Sequence, residues 1–166
     1  MRKPNERTHG RLRARLGLIL VISATLAIAA PLALAHEGAT GVVKQRMEFM
    51  KTIGDAMKVL GDMLKGKTAY EPALAAQYAA TISTHSTRLL EQFPEGSHQP
   101  PSEALPEIWQ DWAEFEKISR RFEAESTALA ATVNGASETG AVLTQYVKLG
   151  KTCGACHERF RVPKDD

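Results

Sequence analysis

An apolar residue recurs every seventh position from Val43 through Met50 and Met57 to Leu64, with Ile53 and Leu60 at the second heptad position. That spacing keeps one stripe of a helix apolar, and a stripe of this length has to be covered by other helices. The helix is expected over Thr40–Lys65. Three more segments carry the same period. Tyr78, Ile82, Leu89 and Phe93 share a face between Pro72 and Phe93. Ile108, Trp112, Phe115, Phe122, Leu129 and Val133 do so between Glu103 or Pro106 and Asn134, and Val142, Tyr146, Leu149, Cys153, Cys156 and Phe160 between Glu138 and Arg161. The stretches GKTAYEP, PEGSHQPPSEALP and NGASETG separate them, and Pro163 follows the last. No stretch alternates as a strand would. The expected fold is all-α, an antiparallel up-down four-helix bundle.

The first 35 residues fall outside that pattern. Arg2, Lys3, Arg7, Arg11, Arg13 and Arg15 precede an apolar run from Leu16 to Ala35 that ends Ala33-Leu34-Ala35. A basic start, an apolar stretch and a small-x-small ending describe a cleaved export signal. The competing reading is a retained anchor, since about 20 residues can just span a bilayer; Pro31 and the cleavage pattern favour removal. The expected division is a signal peptide over 1–35 and one domain over 36–166, located in the periplasm. That domain has 15 Lys and Arg against 18 Asp and Glu, so the basic character of the whole chain belongs to its start. No basic stripe suggests a nucleic-acid partner.

Both cysteines lie within one turn, in Cys153-Gly154-Ala155-Cys156-His157, and nine residues follow the histidine. A disulfide between them would close a very short loop and constrain the unfolded chain little. A thioredoxin-like pair expects a preceding strand and a βαβ setting. A zinc site needs more ligands, and His36, His85 and His98 are scattered. C-x-x-C-H is the attachment signature of a c-type haem. Its two thiols can bond the two vinyl groups on one porphyrin edge, and the adjacent His157 then falls under the iron. Gly154 and Ala155 let that edge lie near the backbone. One covalently bound haem c, with its iron, is expected on the C-terminal helix.

No methionine follows His157; Met47, Met50, Met57 and Met63 all lie in the first helix. A sulfur ligand for the second face of the iron therefore comes from that helix or not at all. Met50 is the best placed, on the stripe and in the half that faces the end of an antiparallel fourth helix. Met57 and Met63 read as core packing. Arg46, one turn before Met50, puts a charge on the apolar stripe, which is costly unless paired; haem propionates are suitable partners. Gly54 and Gly61 beside the stripe suggest close approach by a helix or the porphyrin. His85 lies near the apolar face of the second helix and is an alternative second ligand.

On these residues the chain resembles the class II cytochromes c, the family of cytochrome c′ and cytochrome c-556, from about Gly41 to Val162. The resemblance rests on RMEFMKTIGDAMKVLGDMLKGK, LPEIWQDWAEFEK and CGACHERFR. It implies that Cys153 and Cys156 carry the thioethers, His157 is the proximal ligand and Met50 holds the distal position. It also implies that Arg46 lies near the propionates, that Arg161 lies near the propionates or the proximal face, and that Trp109 is a core aromatic. Members of the c-556 type ligate iron through methionine and carry electrons; cytochrome c′ leaves the distal side vacant and binds NO or CO. The expected function is the first, a low-spin carrier of single electrons between redox partner proteins and not an enzyme, with the NO- or CO-binding form as the alternative and a homodimer as a possible assembly.

Overall fold

A computed structural model describes residues 38–135 and 138–163 of the chain. The expected signal segment, 1–35, lies outside the described residues. The elements run α1 (Gly41–Leu64), α2 (Pro72–Ser86), a 3₁₀ turn at Leu90–Gln92, α3 (Glu107–Gln110), α4 (Trp112–Gly135) and α5 (Thr139–Phe160). Helices α1, α2, α4 and α5 make the antiparallel four-helix bundle. Among the described residues there is no strand, only one isolated antiparallel bridge between Ala104 and Arg161.

The bounds of α1 follow from its local chemistry. At its end Gly66 takes φ +69°, a left-handed conformation that costs glycine little. Its N–H donates to Met63 O (3.1 Å) while the Lys67 N–H donates to Asp62 O (2.9 Å). That pair of bonds satisfies the last carbonyls of the helix and stops it. Pro72 opens α2 at the position where a missing N–H costs nothing.

Two expected helices are shorter or more broken than their apolar spacing suggests. α2 was expected to reach Phe93 and ends at Ser86. Hydroxyls crowd its last turns, and Thr81, Ser86 and Thr87 donate back to Gln77 O, Ser83 O and Thr84 O. Such side chains compete for the backbone and loosen a helix. The chain continues as i→i−3 turns, with Arg88 N–H on His85 O and Leu89 N–H on Ser86 O, and still turns Leu89 and Phe93 inward. The third expected helix is interrupted at Asp111 (φ −125°, ψ 54°), which separates α3 from α4. The break rotates Trp112 out of the stripe where its spacing places it.

The core is built from Leu60, Ile82, Ile108, Phe115, Leu129 and Leu149, all essentially inaccessible. α2 packs on α4, and both bury small residues, Ala75, Ala79 and Ser86 on α2 and Ser119 and Ser126 on α4. The buried hydroxyls are satisfied: Ser126 Oγ donates to Ser86 Oγ at 2.8 Å, which donates onward to Ser83 O. Met63 is buried at 4% exposure, as its reading as core packing expects. α4 packs along both α2 and α5, whereas α1 and α5 touch sparsely.

One of those sparse contacts is tight. Tyr146 of α5 crosses to α1, where its hydroxyl donates to Met57 O at 3.0 Å. A Cβ on Gly61 would overlap the same hydroxyl, so the expectation of close approach holds at Gly61. Gly61→Ala displaces the phenol and breaks its bond. The expected loss is about 1–3 kcal/mol of stability, read as a lower melting temperature.

The end of α5 is clamped. Leu105 N–H donates to Phe160 O (3.0 Å) and Val162 N–H to Glu103 O (2.8 Å). Arg159 pairs with Asp111 and Arg161 with Glu103. These contacts hold the last turns of α5, which carry the cysteines, against the segment before α4.

Candidate haem site

Cys153, Cys156 and His157 occupy the last two turns of α5, the cysteines half-buried and the histidine exposed. The cysteines are free thiols, not a disulfide. Cys153 Sγ donates weakly to Leu149 O at 3.5 Å. Burial raises both thiols above the ordinary cysteine range, Cys156 to about 11 with Cys153 as a second cause. Both are therefore protonated at neutral pH. In that form each S–H has the atoms needed to add across one vinyl group.

The register between α1 and α5 places the methionines. Tyr146 reaches α1 between Met57 and Gly61. Seven residues are two turns, about 10.5 Å of rise. In an antiparallel pair, two turns back along α1 and two turns on along α5 lead from that contact to Met50 and Cys153. Helical side chains lean toward their own N-terminus, so the Met50 thioether leans from the level of Cys153 toward that of His157. Met50 is half-buried and packs against the core.

Helical periodicity puts Met50, Gly54, Met57 and Gly61 on the side of α1 that Tyr146 contacts. Gly61 is closed off by the phenol, but a Cβ at Gly54 would meet nothing within 4 Å. The same is true of Gly150 and Gly154 on α5. No helix approaches Gly54, which leaves the porphyrin as the close neighbour expected there, and the seam between α1 and α5 is open from Gly54 toward the C-x-x-C-H turn. Phe49 lies on the other side of α1, its ring 5.0 Å from that of His85 on α2. His85 Nδ1 is 2.9 Å from Thr81 O.

Arg46 is 5% exposed. Its Nη2 donates to Ser97 O and, at 3.0 Å, to Ser97 Oγ, and its guanidinium lies 4.7 Å from the centre of the Phe93 ring. Its Nε and Nη1 are buried without partners. Burial lowers its pKa, yet a guanidinium stays charged at any ordinary pH. A buried cation with two unused donors fits an anionic carboxylate, and so fits a haem propionate. His98, next to Ser97, also has a buried, partnerless Nδ1, and its ring lies 5.5 Å from Trp109. Trp109 is half-buried and donates its indole N–H to Phe93 O and Pro94 O. Ser97 carried no sequence signal, because the loop that holds it has no period and lies 51 residues from Arg46; the period turned Phe93 inward but did not mark its approach to Arg46. Arg161 turns to Glu103, its Nε donating to Oε2 at 2.8 Å.

Free paired thiols beside a histidine, an open seam faced by glycine, a thioether level with the cysteines and a buried cation lacking an anion together fit a covalently held haem. The comparisons agree with this. A family model described as Cytochrome C′ matches residues 41–161. Cytochrome c-556 of Agrobacterium fabrum is 32% identical over 126 residues, 76% of this chain and 84% of that protein. Cytochrome c′ of Rhodopseudomonas palustris is 32% identical over 126 residues, 75% of this chain and 84% of that protein. Among solved structures, cytochrome c prime from Shewanella frigidimarina superposes with a TM-score of 0.70 at 28% identity, covering 74% of this chain and 94% of that one. The chain belongs to the cytochrome c′ family, the class II cytochromes c, and is a protein of covalently bound haem c.

Proposed function

We propose that this protein is an exported carrier of single electrons with His/Met-ligated, low-spin haem, of the cytochrome c-556 type. In this reading residues 1–35 are a cleaved signal and 36–166 form one periplasmic domain. Cys153 and Cys156 form the two thioethers, His157 is the proximal ligand and Met50 the distal one. The register that brings Met50 level with the C-x-x-C-H turn, across an open seam, is the observation that carries it.

The bound haem supplies an iron that gains and loses one electron. The chain's own residues set the conditions. Thioether ligation favours the reduced iron and raises the potential. Arg46 meets a propionate with its unused donors, and Arg161, held by Glu103, stays near the proximal side. The partners are redox proteins, and we assign the protein no catalytic turnover.

The alternative is a five-coordinate, high-spin protein of the cytochrome c′ type that binds NO or CO and pairs as a homodimer. It is favoured by the equal identity of relatives bearing the two names. The optical spectrum of the haem-loaded protein decides between them. A sharp, split reduced spectrum and a far-red sulfur–iron band when oxidised are expected. Broad high-spin bands with a large change on adding CO would give the alternative.

A further inference from the structure

A surface groove of about 540 Å³ opens between the 3₁₀ turn and the start of α4. Phe93, Pro94, Trp109 and Trp112 line it, with Glu91 and Glu95. Trp112 has a core spacing but is 36% exposed, because the break at Asp111 turns it outward. A large indole left at the surface beside a concave apolar bed is the kind of side chain that anchors a protein contact.

The groove is joined to the haem site by packed rings. Phe93 lies beneath the Arg46 guanidinium and 4.8 Å from Phe115. Phe115 touches both Trp112 and Phe160 at 5.4 Å, and Phe160 is three residues past His157. One layer of side chains thus separates the groove from both the cation and the helix end of the site.

Charge selects the occupant. From Leu89 to Glu116 the chain has seven Asp and Glu and no Lys or Arg. Five of these acids pair with bases: Glu91 with Arg88, Glu103 with Arg161, Asp111 with Arg159, Glu114 with Lys117 and Glu116 with Arg120. Glu95 on the groove and Glu107 in α3 have no basic partner among the described residues. An acidic occupant is repelled here and a cationic one attracted. A second copy of residues 36–166, itself net acidic, suits the groove less well.

We propose that this groove docks the protein's redox partner, through a segment of that partner that combines Lys or Arg with apolar side chains. The proposal rests on the electron-carrier reading, which names the partner class. Its test is separate from the spectrum. Fluorescein-labelled Lys-Lys-Leu-Leu-Lys-Lys amide is titrated with the haem-loaded protein and followed by anisotropy, with Glu-Glu-Leu-Leu-Glu-Glu amide as the counterpart. The lysine peptide should bind and the glutamate peptide should not. Trp112→Ala should weaken the lysine peptide by about thirtyfold, as for a central indole anchor. Glu95→Lys, an exposed loop change with no fold to lose, should weaken it by about fivefold. Raising the salt from about 0.05 to 0.5 M should weaken it further.

Equal binding of the two peptides overturns the proposal. So does a change of less than about twofold in both variants. A self-association that Trp112→Ala abolishes, without any lysine-peptide binding, gives the groove to a second copy instead. Failure of the electron-carrier reading would show only in the spectrum, which the peptides do not touch.

Discussion

On the electron-carrier reading, replacing Met50 with alanine is expected to remove the far-red sulfur–iron band, to broaden the reduced spectrum and to let the variant take up CO that the parent excludes. The reason is positional. Met50 is the methionine that the Tyr146 contact brings level with Cys153 and His157, whereas Met57 sits at that contact and Met63 a further turn and a half away. Loss of the thioether also lowers the midpoint potential. A drop on the order of 100 mV is expected, a modest part of the ~0.8 V over which axial ligands set haem potentials. Met57→Ala leaves the spectrum as it was. Met63→Ala leaves it too, but costs about 2–5 kcal/mol in stability because that side chain is buried in the core. The three variants together separate ligation from packing. An unchanged spectrum in Met50→Ala would remove Met50 from the iron and move the protein to the gas-binding reading.

That contrast bears on what the residues disclose unaided. The heptad spacing from Val43 to Leu64 and the glycine at 66 bound α1 to within a residue of its observed ends, since both signals are local. The end of α2 and the start of α4 were not legible in the same way. Leu89, Phe93 and Trp112 keep the apolar period, but the hydroxyls of Thr81, Ser86 and Thr87 and the turn at Asp111 break the backbone beneath it. Periodicity reports where apolar side chains want to go and says little about whether the chain reaches them as one helix. For the site, the C-x-x-C-H turn and the odd charge at Arg46 stand out within single helices. What surrounds them does not. Ser97 reaches Arg46 from 51 residues away, Phe93 packs against the same guanidinium, and the Tyr146–Gly61 contact that sets the register joins residues 85 apart, as the numbering of the two positions gives. Long-range pairs of this kind leave no period to read.

Arg46 offers the second large effect. Arg46→Leu keeps most of the volume, removes a buried charge with two partnerless donors, and leaves Ser97 O and Oγ without their donor. Without an anion beside it, such a residue is a poor contributor to stability, and an apolar replacement is neutral or stabilising by about 1–4 kcal/mol. With a propionate on its Nε and Nη1 the sign reverses. The substitution then strands a carboxylate, and the haem-loaded protein loses about 2–4 kcal/mol, in the range for breaking a buried charged pair. Removing a cation next to the haem also favours the ferric state. At an effective dielectric near 20, a unit charge several ångströms away is worth about 1–3 kcal/mol, or roughly 50–130 mV off the midpoint potential. A haem-loaded Arg46→Leu protein that melts below the parent and has a lower potential therefore places the propionate on Arg46. One that melts at or above the parent with its potential unmoved places it elsewhere, and the two unused donors of Arg46 would then need another anion.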